Sequence, residues 1–275
     1  MAPDHQSRAT YAIQGGQVGR DRLRVLSGVL APTTSALLDR IQIPATARCL
    51  DAGCGGGDVT ELLAARVPRG HVIGVDRDPV KIAMAAIEAP ANVSYRSEDL
   101  DATVRSHDRF DLVYARFVLS HLAGAGEWVH ALAGLVTPGG TLVVEDVHIA
   151  GAFCSPRSDV FDRAIEIYSA TVRAGGGDPD IGPSLPRLLA AAGLTDVGIS
   201  IVQPAALSGD AKRIQLLTLA AIEPAAIEFG TSTAAEIAEL IAELRDFVER
   251  PDTVVTTAQV VQSWGRRAGD ARHQV

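Results

Sequence analysis

The sequence is poor in cysteine and short of basic charge, and it has no long apolar run. Each shortage closes a class of function. Three cysteines in 275 residues, Cys49, Cys54 and Cys154, do not make a disulfide framework. Their spacing is not that of a zinc site. They read as buried, reduced thiols of a cytosolic (cytoplasmic) protein. Lys and Arg number 25 against 33 Asp and Glu, for a net charge of -8. The basic residues are mostly single arginines among acids, so no basic stripe is offered to nucleic acid. No apolar run reaches the roughly 18 residues of a membrane span. Met1 to Thr10 is polar and lacks the apolar centre of a secretion signal. There is no internal repeat and no low-complexity linker.

What is present is material for a core. Hydrophobic residues make up 47% and charged residues 21%, a balance unlike that of disordered chains. The length suits one large α/β domain or two small ones. One domain with helical insertions is the economical reading.

Residues 21–43 read as a helix through Leu23, Leu26, Leu30, Leu37, Leu38 and Ile41, broken at Pro32. A short apolar stretch ending in Cys49-Leu50-Asp51 then runs into glycines. Asp58 follows as an N-cap with Glu61 three residues on. Strands are expected at His71 to Asp76, Val93 to Arg96, Phe110 to Tyr114 and Thr141 to Val147. Helices are expected from Pro79 to Ala89 and through Trp128 and Leu132, with Thr137 to Gly140 as a turn. This rhythm implies βαβ units, a parallel sheet and helices on both faces. Beyond residue 150 the rhythm loosens. Phe161, Ile165, Tyr168 and Val172 form a helical stripe, and Leu185 to Ala192 a short helix. Val197 to Val202 alternates like a strand. Thr233 with Glu236 opens an amphipathic helix that Pro251 ends, and Thr253 to Trp264 reads as a last strand.

The informative segment is Asp51-Ala52-Gly53-Cys54-Gly55-Gly56-Gly57, between a strand and a helix. Glycines let a backbone turn sharply and approach a ligand, and a helix N-terminus behind them offers unpaired N–H groups. Asp76 ends the next strand, where an acid suits the two hydroxyls of a ribose. The third glycine of a dinucleotide fingerprint is replaced by Asp58. No lysine follows to cradle a triphosphate. The turn therefore suits a nucleoside ligand without a pyrophosphate.

These residues resemble the class I, Rossmann-like methyltransferases that use S-adenosylmethionine. Asp51, Gly53, Gly55 and Gly57 match that family's first motif. Asp76 falls at its ribose-binding acid, and Arg77 at a residue that packs on the adenine. Asp99-Leu100 resembles the pair that reads the adenine amino edge. Phe110 to Arg116, including Ala115 and Arg116, resembles the fourth-strand motif, and Thr137 to Leu142 the turn into the fifth strand. Order and spacing hold over about residues 9–150. Tyr11, Gln14-Gly15-Gly16 and Arg20 to Leu23 resemble the leader of the small-molecule branch, which folds over the cofactor. Tyr11 and Arg22 would then meet the cofactor's carboxylate; the alternative is a solvated helix face. The resemblance implies a doubly wound, mostly parallel seven-stranded sheet with its last strand antiparallel, inserted between the fifth and sixth. It implies a helical leader over 1–43, a methyltransferase domain over 44–275, and insertions at about 151–185 and 205–252 that cap the substrate.

Methyl transfer is an in-line displacement at an activated carbon, so the enzyme supplies position and sometimes a base. His71, His107 and His130 read as solvated, and His5 and His273 are terminal. His121 follows the fourth strand and His148 the fifth, both at the ligand-binding edge. His148 is the first expectation for a base, and His121 the second, with a structural role as its alternative. Carboxylates clustered for a metal are missing, so no metal is expected. The resulting expectation is a methyltransferase for a small, partly apolar metabolite: phenolic, quinone-like or a specialised metabolite. It involves neither nucleic acid nor membrane, and a homodimer is compatible with it. Two rivals keep the fold: a non-methylating reaction such as a cyclisation, and a non-enzymatic binding module.

Overall fold

The structure is a computed structural model and describes residues 16–269. A long helix, α1 (Gly16–Ile41), precedes the sheet. Then β1 (Arg48–Ala52), α2 (Asp58–Arg66), β2 (His71–Asp76), α3 (Pro79–Ala85) and β3 (Val93–Ser97) follow. The chain continues through α4 (Leu100–Arg105), β4 (Phe110–Arg116), α5 (Ala125–Leu135) and β5 (Val136–His148). Next come β6 (Cys154–Ser155), α6 (Asp159–Ala174), α7 (Leu185–Ala191), β7 (Leu194–Val202) and β8 (Ala205–Ala206). Two helices, α8 (Ile214–Glu228) and α9 (Ala234–Glu249), and two strands, β9 (Val254–Thr256) and β10 (Gln259–Arg267), complete it.

Seven strands form one sheet in the order β3-β2-β1-β4-β5-β10-β7. All neighbours are parallel except β10, which runs antiparallel to both β5 and β7. This is the expected doubly wound sheet, with its last strand inserted fifth-to-sixth. Strand alternation sends side chains to two cores. Leu50, Val113 and Ala115 pack under α5 and α7. Cys49, Leu112 and Tyr114 pack under α2 and the end of α1. The order reverses between β1 and β4, and the crevice at that switch point is where open α/β sheets bind ligands.

A third core joins α6, α8 and α9 through residues such as Phe161, Leu219 and Leu244. A small antiparallel sheet, β6-β9-β8, ties the segments that carry these helices. Thr233 caps α9 as expected, its hydroxyl accepting the Glu236 N–H at 3.1 Å.

Several expectations are corrected. Helix α1 runs through Pro32. Leu26 and Leu30 on one side and Leu37 and Leu38 on the other are all buried. Packing at both ends outweighs the one hydrogen bond that the proline forfeits. The cap of α2 is Gly57, at φ 89°, and Asp58 is already helical. Helix α3 stops at Ala85. The last strand is two: β9 turns away into the small sheet before β10 begins. Helix α8 was not expected at all.

Candidate active site

A cavity of about 1370 Å³ opens over the carboxyl ends of β1, β2 and β4, with α1 and α8 along its other side. Its floor is the glycine turn. Gly53 and Gly55 hold φ of +74° and +54°, a region that L side chains rarely adopt. A Cβ on Gly53 would lie 2.5 Å from Val118, whereas one on Gly55 would meet only Leu23 at 3.9 Å. Gly55 therefore faces open cavity. Gly57 does not line the cavity; a Cβ there would collide with the Tyr95 hydroxyl, so its role is in packing.

Asp76 sits where the sequence places it. Its Oδ2 accepts the Gly55 N–H at 3.0 Å and its Oδ1 the Asp78 N–H at 2.9 Å. Both oxygens keep a lone pair for a further donor. Asp51 lines the cavity but is buried, and the Thr60 hydroxyl donates to it at 2.6 Å. Burial pushes its pKa up to about 6, while Thr60 and the Arg116 charge pull it down. Arg77, Leu100 and Arg22 line the cavity. Asp99 stands at the N-cap of α4, yet its side chain does not cap the helix and faces the cavity. Arg116 lines it too and reaches α1, donating to Ser27 at 3.2 Å and Thr34 at 3.4 Å. Thr34 in turn donates to buried Glu145 at 2.9 Å, which also accepts from Tyr114 and Gln262. This chain of bonds seats α1 on the sheet. Phe117, next along, holds φ +56° at the cavity wall. Such strain in a non-glycine residue persists only where the surroundings impose it.

Ala115 is fully buried in the sheet core and does not reach the cavity. Tyr11 lies outside the described residues. The histidines change order. His148 does not line the cavity, although Val147 and Ile149 on either side of it do. Strand alternation turns His148 to the opposite face, where its Nδ1 lies 3.1 Å from Asp180. Asp180 also accepts from Arg173 at 2.9 Å and from the Ala150 N–H at 2.9 Å. His121 lines the cavity from the turn after β4 and is buried. Burial, and then the charges of Arg22, Arg77 and Lys81, lower its pKa to about 3. It is neutral at neutral pH. Asp146, beside it, accepts the Ser120 N–H at 3.1 Å and is pushed up to about 6 by burial.

Sequence reasoning missed the α8 wall: Ile214, Gln215 and Thr218 line the cavity opposite the glycine turn. Among the described residues, no three His, Cys, Asp or Glu side chains group as a metal site.

A doubly wound sheet with an acid-and-glycine turn at its switch point, and a second acid on the next strand, defines a nucleoside-binding α/β protein. A family model described as a methyltransferase domain matches residues 23–198. A trans-aconitate 2-methyltransferase of Methylobacterium radiotolerans is 33% identical over 177 residues, which is 64% of this chain and 64% of that protein. Methyltransferase str2 of Strobilurus tenacellus is 26% identical over 206 residues, 74% of each chain. Among solved structures, phosphoethanolamine N-methyltransferase 2 of Haemonchus contortus, in complex with S-adenosyl-L-methionine, superposes with a TM-score of 0.52. It is 17% identical and covers 86% of this chain and 53% of its own. The chain belongs to the methyltransferase-domain family. Among the described residues, no helix is long and apolar enough to cross a membrane.

Proposed function

We propose that the protein transfers a methyl group from S-adenosylmethionine to a small, partly apolar acceptor. The observation that carries this is the pairing of Asp76 with the glycine turn. A fixed carboxylate with lone pairs to spare stands beside a backbone that leaves the cavity open at Gly55. The cofactor fits these residues. Asp76 would hold the ribose hydroxyls, Asp99 and Leu100 the adenine edge, and Arg77 its face. When bound, the cofactor supplies a methyl carbon activated by a sulfonium. The chain's residues then bind, orient and exclude water. Val147, Ile149, Tyr168 and Val260 give the acceptor end its apolar lining. His121, held neutral with a pKa of about 3, accepts a proton only reluctantly. Acceptors whose nucleophilic atom carries no proton at neutral pH are therefore favoured.

The leader over 1–43 and the insertions at about 151–185 and 205–252 serve as a cover on a methyltransferase domain. The acidic balance favours a small-molecule acceptor over nucleic acid. Three free cysteines suit a reducing, cytoplasmic setting. Strand β7 is a sheet edge with Ile199 and Ile201 exposed, which suits pairing with a second copy.

The test is calorimetric titration with S-adenosylmethionine and S-adenosylhomocysteine, followed by assay of S-adenosylhomocysteine release. The acceptor panel holds trans-aconitate, the compound in one relative's name, with simple phenols and amines. Saturable binding and release with at least one acceptor is expected. Failure to bind either nucleoside overturns the reading.

A further inference from the structure

Helix α8 contributes a polar wall to an otherwise apolar end of the cavity. Thr218 donates its hydroxyl proton to the Ile214 carbonyl at 2.7 Å. Its lone pairs are therefore turned outward, and they receive Arg22 Nε at 3.0 Å. This bond moors the guanidinium of α1 against α8. Arg22 is only 9% exposed. Among the described residues it forms no ion pair, and its two terminal nitrogens donate to nothing. A buried charge without a counter-charge is costly unless a ligand supplies one.

Gln215 lies one helical turn before Thr218, so the two share a face of α8. Gln215 is 5% exposed and lines the cavity. Its carboxamide carries no hydrogen bond to any described residue. A buried amide is normally paired. The cavity lining therefore presents two terminal guanidinium nitrogens and a carboxamide that bond to no described residue. Paired N–H groups on a planar fork match the two oxygens of a carboxylate.

We propose that Arg22 and Gln215 form a subsite that holds a carboxylate of the acceptor, so that the acceptor is a carboxylic acid. This rests on the methyl-transfer reading and names its substrate class. A carboxylate also occurs on the cofactor, and that is the other source of the same chemistry. The acceptor is favoured because Gln215 and Thr218 lie beyond residue 198, outside the matched domain, whereas the glycine turn and Asp76 lie within it. The wall also adjoins the apolar side chains of the lid helices. A residue set apart from the shared cofactor machinery is placed to discriminate acceptors.

The experiment uses the full chain, with trans-aconitate, succinate and benzoate as probes and benzamide as the neutral control. Binding is read by saturation-transfer NMR with and without S-adenosylhomocysteine, and KM is measured for any probe that turns over. At least one acid binds and benzamide does not. Gln215→Leu weakens acid binding about tenfold or more, while S-adenosylhomocysteine affinity stays within about twofold by calorimetry. Gln215→Glu abolishes acid binding by repulsion. If no acid binds, or acid and amide bind alike, the subsite is overturned. A fall in S-adenosylhomocysteine affinity matching the loss of acid binding in Gln215→Leu reassigns the carboxylate to the cofactor, and equally overturns it. A wild-type protein that binds the acids but not S-adenosylhomocysteine keeps the subsite and overturns the methyl-transfer reading instead.

Discussion

The Asp76 carboxylate accepts the Gly55 N–H at 3.0 Å, and this bond joins the acid ending β2 to the turn that follows β1. With its second oxygen held by the Asp78 N–H, the carboxylate is fixed in orientation before any ligand arrives. Groups held in place in advance lose little entropy on binding.

Replacing Asp76 by Asn keeps one acceptor and the shape, but removes the charge. Asp76→Asn should weaken S-adenosylmethionine binding by about 1.5–3 kcal/mol, the range for a charge-assisted bond. Asp76→Ala should in addition lower the melting temperature, because both backbone N–H groups lose their acceptor. Calorimetry and thermal melts separate the two effects. Wild-type affinity in Asp76→Asn removes the residue from the pocket.

Two glycines of one turn should fail differently. Gly55 needs φ +54° and faces open cavity, whereas Gly57 at φ +89° is covered by Tyr95. A left-handed L residue costs about 1–2 kcal/mol. Gly55→Val should lose cofactor binding and keep a folded core, as judged by circular dichroism. Gly57→Ala should lose more stability than Gly55→Ala, because Tyr95 must move. Equal melting temperatures for the two alanine variants would contradict the packing role of Gly57.

The sheet and its glycine turn were legible because their signals are local. Glycines must sit where φ is positive, and an acid must end the next strand. What stayed hidden depended on tertiary context. Helix α8 is apolar around most of its surface and contains Pro224, so it shows no amphipathic stripe; such a helix is buried on all sides. With α8 unseen, Gln215 and Thr218 could not be placed. For β5, alternation says that Val147 and His148 face opposite ways but not which way the cavity lies. That depends on the side taken by α1 and α8, which no local pattern specifies.

The two histidines therefore exchange expected phenotypes. His148 pairs with Asp180 on a partly exposed face and has no access to the cavity. Pairs of this kind contribute up to about 1 kcal/mol. His148→Ala should change turnover by no more than a few-fold and stability by a similar small amount. His121→Ala opens the cavity wall and should affect both acceptor KM and stability. Steady-state kinetics on the two variants decides. A loss of about 10²–10⁴-fold in His148→Ala, the size of a general base, would restore its catalytic role.

His121 also sets a pH dependence of stability. Its folded pKa is about 3, against an ordinary 6.5, because burial and three nearby cations disfavour the charged ring. Between those values the unfolded chain binds a proton that the folded chain refuses. The stability it contributes is thus fully present above pH 6.5 and is lost as pH falls toward 3, by up to about 1.4 kcal/mol per unit. Asp51 and Asp146 act in the opposite sense. Burial raises both from 3.8 to about 6. Their contribution is present below pH 3.8 and is lost as pH rises through 6. The wild-type curve mixes these terms, so the comparison has to be with His121→Gln, which removes only the first. Between pH 6.5 and 5, wild type should lose up to about 2 kcal/mol relative to His121→Gln in urea-melt free energies. Parallel curves for the two proteins across that interval would mean that His121 is not held neutral, and that solvent or a counter-charge reaches its ring.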